Sequence, residues 1–153
     1  MGDMETVGDV LEFAIGREAE AAEFYMAMAG RMTDHTMQTF FEGLVTQELE
    51  HKSKLELEVM KEGIVAKTVG TLPEVSSEGF VVDPDTVAEQ MDYTEALGLA
   101  IKKEKRSFRL YARLSGLVTE EEMSETLLSL AEEEARHMAA LEEQYKHAVM
   151  EQE

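Results

Sequence analysis

Glu48-Leu49-Glu50-His51 and Glu134-Ala135-Arg136-His137 are the two stretches that decide the fold of this chain. Each puts a carboxylate three residues before an imidazole, and they lie 86 residues apart. On a helix, residues i and i+3 sit about 60° apart around the axis and ~4.5 Å along it, so both side chains reach one point. The apolar residues around each motif keep its phase. Met37, Phe41, Leu44, Leu55 and Val59 do so around the first, and Met123, Leu127, Leu130 and Leu141 around the second. Both motifs therefore lie on the faces that their helices bury. A carboxylate in such a place is costly unless it is paired or bound to a cation.

The 86-residue offset superimposes much more. Ala14-Ile15-x-x-Glu18 falls on Ala100-Ile101-x-x-Glu104, Tyr25 on Tyr111, and Gly30 on Gly116. In both halves a lone Glu precedes the His by 33 residues and a Tyr precedes it by 26. Glu-x-x-His alone is weak, because Glu fills 27 of the 153 positions; the repeated offsets give it weight. The chain reads as two copies of one helical hairpin.

Breakers mark the hairpins. The first helix is expected from about Thr6 to Met32, with Val7, Leu11, Ala14, Glu18, Ala22, Tyr25 and Ala29 inward. The second follows the Thr33-Asp34 turn and runs to about Glu62, stopped by Gly63. The third begins near Thr94 and ends at Ser115 with Gly116 as its stop; its inner face reads Leu97, Ala100, Glu104, Ser107, Tyr111 and Leu114. The fourth starts with a capping box at Thr119–Glu122. Hairpins of about 6–62 and 94–150 thus flank a connection of about 63–93, which holds both prolines, Pro73 and Pro84; Asp83-Pro84-Asp85 is expected to start a short helical turn there. All of it is expected to be one domain, 1–153, an all-α four-helix bundle. So long a connection can run the length of a bundle, which predicts parallel second and third helices and a pseudo-twofold axis perpendicular to the bundle. Exchange of hairpins between two chains is the alternative pairing.

Every helix then carries a Glu in the middle of its inner stripe, and two carry a His. Glu18, Glu48, His51, Glu104, Glu134 and His137 make four carboxylates and two imidazoles, the ligand set of a dinuclear site in a bundle core. Four carboxylates neutralise two divalent ions. Two nitrogens with bridging oxygens suit two Fe ions or Mn; Zn fits without redox chemistry. There is no Cys, so no disulfide, thiolate nucleophile or Cys-bound metal is available.

Composition closes other routes. Hydrophobic residues are 44% and charged residues 31%, enough for a core; the net charge of −19 repels nucleic acid and anionic membrane surfaces. No apolar run approaches the ~20 residues of a membrane span, and the N-terminus does not resemble a signal peptide, so the cytoplasm is the expected location. Gly2 with Thr6 meets a loose myristoylation pattern but has no second membrane signal beside it. Glu20, Glu23, Glu50, Glu132 and Glu133 fall off the inner faces and are expected in solvent, as are His35 and His147 at helix ends. The methionines, including Met26, Met28, Met32 and Met37, are expected to fill irregular apolar space.

Glu18…Tyr25, Glu48…His51, Glu104…Tyr111 and Glu134…His137 together resemble the di-iron domain of rubrerythrins and, more broadly, the ferritin-like superfamily. The resemblance spans all four helices. It implies that Glu48 and Glu134 bridge two irons, that Glu18 and Glu104 are terminal ligands, and that each His binds one iron. It implies hydrogen-bond donation to the ligands by Tyr25 and Tyr111, and an oxidoreductase that reduces O2 or peroxide. Two departures stand out. The Cys-rich rubredoxin domain of full-length rubrerythrins has no counterpart in this sequence, which implies a separate electron donor protein. Ser107 stands where rubrerythrins carry an extra carboxylate, so the six-residue set is also similar to the bacterioferritin centre, which implies iron oxidation and storage as the alternative. With no clear fifth helix for cage contacts, a homodimer is expected rather than a shell.

Overall fold

Thr6 opens the first helix. Its Oγ1 accepts from the Asp9 amide at 3.0 Å while Asp9 Oδ2 accepts from the Thr6 amide at 3.2 Å, a reciprocal cap that satisfies two otherwise orphaned donors. The structure, a computed structural model, describes residues 6–63 and 91–151. Helix α1 spans Val7–Arg31. Asp34 Oδ1 then accepts from the Thr36 amide at 2.8 Å and starts α2, His35–Glu58, which continues as one π-helical turn, Val59–Gly63. Helix α3 spans Tyr93–Leu117 and α4 spans Glu121–Glu151. The predicted helical turn at Asp83-Pro84-Asp85 and most of the connection lie outside the described residues.

Two predicted boundaries are corrected. Gly116 does not stop α3; it is helical, and the chain leaves the helix at Val118, whose side chain is drawn into the core. Thr119 is not the cap of α4 either. Glu120 fills that place, its Oε1 accepting from the Met123 amide at 2.8 Å and its carbonyl from the Ser124 amide at 3.0 Å. Ser124 Oγ also donates to the Ser115 carbonyl at 2.6 Å, tying the start of α4 to the end of α3.

Apolar residues collect in two plugs. One holds Phe24, Tyr25 and Met28 near the end of α1, Phe41 and Leu44 near the start of α2, Leu97 near the start of α3, and Leu141 towards the end of α4. The other holds Val10 and Leu11, Leu55, Leu114, and Met123, Leu127 and Leu130. Each plug thus takes the start of α2 with the start of α3, or the end of one with the end of the other. These two helices are parallel, as a long crossover requires. By the same test α1 runs opposite to α3 and α2 opposite to α4, so the operation relating the halves is a twofold perpendicular to the bundle. The hairpins pair within one chain here, a four-helix bundle of the one-crossover kind.

The inner stripes hold with few exceptions. Met37, Val59 and Ser107 are only half-buried, and Met26 is exposed rather than packed. Lys103 and Glu58 are buried charged residues that the stripes did not include. Lys103 lies over the Phe24 ring, where a cation–π contact and its long stem make burial tolerable. No helix among the described residues is long and apolar enough to cross a membrane.

Each fully buried large side chain in the plugs stabilises the fold by ~1.5–3 kcal/mol through burial alone. Phe41→Ala should therefore cost about 3–5 kcal/mol, whereas Met60→Ala, at an 81% exposed position, should stay within about 0.5 kcal/mol. Urea unfolding of both variants in the presence of chelator checks this; equal losses would place Phe41 outside the core.

Candidate metal centre

Between the two plugs lies a belt of charge. Glu18, Glu48, His51, Glu104 and Glu134 are at most 1% exposed and His137 is 6% exposed. The stripes of α1 to α4 deliver one carboxylate each to this level, and the i, i+3 spacing on α2 and α4 adds the imidazoles. All six predicted residues meet here.

The halves cross over. His51 Nδ1 stands 2.9 Å from Glu134 Oε1, and His137 Nδ1 stands 3.1 Å from Glu48 Oε1, neither pair having the alignment of a hydrogen bond. Each Nδ1 is 3.6 Å from the carboxylate of its own half's first helix, Glu18 or Glu104. The two imidazoles stack with centroids 5.5 Å apart and planes 12° apart. Two donor groups result, Glu18/Glu48/His51/Glu134 and Glu48/Glu104/Glu134/His137, each with ligand atoms within 4.8 Å of one another. Glu48 and Glu134 belong to both.

Tyr25 and Tyr111 also cross. Tyr25 Oη donates to Glu104 Oε1 at 2.6 Å, and Tyr111 Oη donates to Glu18 Oε2. Each tyrosine therefore braces the carboxylate of the opposite half rather than the one two turns away on its own helix.

Glu133 departs from the expectation. Expected in solvent, it is half-buried; its Oε1 lies 3.0 Å from His51 Nε2, and Lys54 Nζ is 3.3 Å from its other oxygen. The contact depends on how α4 crosses α2, which no local pattern encodes. His35 and His147 are exposed as expected, and His147 pairs with Glu143 at 3.3 Å.

The chemistry of the donor set can be tested on its unmet needs. Among the described residues, the side-chain atoms that are buried and without hydrogen-bond partners are Glu18 Oε1, Glu48 Oε1, Glu104 Oε2, both oxygens of Glu134, and the Nδ1 atoms of His51 and His137. Native proteins leave only a few such atoms unsatisfied, and each calls for an explanation. Here all belong to one cluster and all are metal-donor atoms, so the residues fit a pair of bound divalent ions. Without cations the cluster compensates by holding protons. Burial, then repulsion from Glu104 and Glu18, pushes Glu134 up to about 8, and burial with the same neighbours raises Glu48 well above the carboxylate range. Burial alone would lower both histidines, but Glu134 and Glu18 bring His51 up to about 11, and Glu104 and Glu134 bring His137 up to about 9.

A four-helix bundle with two buried Glu-x-x-His motifs and two further glutamates defines the class of dinuclear carboxylate proteins. The Rubrerythrin family model matches residues 9–145, and the chain belongs to that family. Solved structures share the fold. A Thermotoga maritima protein described as ferritin-like and diiron-carboxylate is 21% identical with a TM-score of 0.80, covering 94% of this chain and 97% of its own. A Pyrococcus furiosus hypothetical protein is 23% identical with a TM-score of 0.70, covering 92% and 89%. A conserved protein of Magnetospirillum magnetotacticum is 24% identical with a TM-score of 0.65, covering 94% and 95%. No functionally curated protein matches the chain.

Protons and metal compete for the same atoms, which fixes the signs of two pH responses. Glu134, His51 and His137 all have folded-state pKa values above their unfolded ones, so the stability they contribute is complete at low pH and is lost as pH rises. From pH 6 to 8 the chelated protein should lose melting temperature, with Glu134 titrating up to about 8 and both histidines above 6.5. With saturating Mn(II) the increment due to metal should grow over the same range, because fewer protons must be displaced. Glu48→Gln with Glu134→Gln should raise the chelated melting temperature and abolish the metal increment. Superimposed wild-type curves with and without metal, at every pH, would remove these six residues from the ligand set.

Proposed function

We propose that this protein is a di-iron oxidoreductase that reduces O2 or hydrogen peroxide in the cytoplasm, as a homodimer, with electrons from a separate donor protein. The observation that carries this reading is the set of buried, unpartnered donor atoms, all converging on one belt of the bundle. Glu18, Glu48, His51 and Glu134 would hold one iron, and Glu48, Glu104, Glu134 and His137 the other. Bound there, the iron pair supplies one-electron steps to the oxidant; for peroxide the balance is H2O2 + 2e− + 2H+ → 2H2O.

The chain's own residues set the conditions. The apolar plugs above and below keep bulk water from the belt and strengthen every electrostatic contact in it. Tyr25 and Tyr111 act as positioning residues, each fixing a terminal carboxylate by donation from its hydroxyl, and each keeps its proton because burial and then the nearby glutamates push its pKa well up. The absence of Cys leaves the electrons to come from elsewhere. A storage role of bacterioferritin type is the second reading, favoured by Ser107, which leaves the six-residue set symmetric. Light scattering separates the two, a dimer supporting the enzyme and a large shell supporting storage.

Reconstituted protein should contain about two irons per chain and consume peroxide or O2 when reduced. His51→Ala or His137→Ala should each lower the iron content to about one per chain while circular dichroism stays helical. Unchanged stoichiometry in both variants would take the histidines out of the site, and two irons without turnover of either oxidant would favour storage.

A further inference from the structure

The repeat is broken just outside the belt. At the 86-residue offset Glu133 corresponds to Gln47, and Lys54 to Ala140. On one side Glu133 stands 3.0 Å from His51 Nε2 and is itself held by Lys54, and the His51 side chain is fully buried. On the other side Gln47 and the short Ala140 replace that pair. A cavity of about 470 Å³ opens there between α2 and α4, bounded by Leu44, Gln47, Ala140 and His137. Among the described residues no carboxylate meets His137 Nε2, and its side chain keeps 7% exposure. Glu50, Glu133 and Arg136 also lie on the wall of this cavity, so its charges are mixed, and what it gives the His137 half is access to solvent.

These differences have a direct consequence for metal binding. A carboxylate on the far nitrogen of a ligating imidazole fixes the tautomer with its proton there, aims the other lone pair at the metal and raises its basicity; losing such a partner weakens metal binding by ~10–100-fold. Only His51 has one. We propose that the two halves of the centre are unequal by construction. Glu133 is a positioning residue that makes the His51 half the tighter metal position, and the cavity makes the His137 half the one that exchanges its ion with solvent. The inference rests on the di-metal reading above and assigns its halves different tasks.

Cobalt(II) is the probe, added anaerobically and followed by calorimetry and visible absorption. The wild type should bind in two steps, the first at least about tenfold tighter, and a chelator should extract the metal in a fast and a slow phase. His137→Ala should delete the weaker step and the fast phase, which assigns both to that half. Glu133→Gln keeps an acceptor oxygen but removes the charge, and should weaken the tight step about tenfold; Glu133→Leu removes both and should approach a 100-fold loss. Gln47→Glu should strengthen the weaker step and slow the fast phase. Two equal steps in the wild type, or a tight step indifferent to both Glu133 variants, would overturn the inequality while leaving the di-metal centre standing. No cobalt binding by the wild type would overturn both. Glu133→Gln is nearly isosteric, so it decides the matter even if the leucine variant proves unfolded.

Discussion

Four carboxylates share one dry level of this bundle, and most of the architecture is a response to that crowding. At an interior separation of about 4 Å, two like charges repel by roughly 4 kcal/mol even at an effective dielectric of 20. Glu18, Glu48, Glu104 and Glu134 cannot all ionise there alone. The belt holds them by sharing protons with His51 and His137, by accepting from Tyr25 and Tyr111, and by offering its remaining lone pairs to cations. The apolar plugs on either side supply the stability that this level lacks. Burial that costs free energy at the belt is thus offset by burial that gains it in the plugs.

The crossover follows from the same constraint. Two hairpins of like sequence each bring one Glu and one Glu-x-x-His motif, and a twofold perpendicular to the bundle is the arrangement that puts both sets at the same height. Parallel α2 and α3 make that possible. Under this symmetry each hairpin serves the other: His51 lies against Glu134, His137 against Glu48, Tyr25 against Glu104, and Tyr111 against Glu18. Neither hairpin alone holds a complete donor group, so assembly of the centre and pairing of the hairpins are one event.

This division explains what the sequence could and could not disclose. The inner stripes and the six belt residues were legible because helical periodicity and an internal repeat both register inward-facing positions. The direction of the second hairpin was legible from the length of the connection. Contacts between helices left no such trace. Nothing local tells Glu133 from Glu132, yet the crossing of α4 over α2 sends one to His51 and the other to solvent. Tyr25 sits two turns from Glu18 on its own helix and still donates across the core to Glu104. Gly116 reads as a stop, but burial of Val118 decides where α3 ends.

Duplication produces equivalent halves, and packing around a shared belt keeps them so on the inside. Substituting Glu48 or Glu134 disturbs both donor groups at once, because each belongs to both. The positions one layer out are under no such tie. Glu133 touches one imidazole, that of His51, and Lys54 reaches it only through Glu133, so a change at either position acts on one donor group first. Asymmetry can therefore enter a twofold centre at low energetic cost only from the second layer outward. Gln47 and Ala140, against Glu133 and Lys54, lie in that layer. On the proposed reading, the inner set decides whether two ions can be held together, and the layer around it decides whether they are held alike.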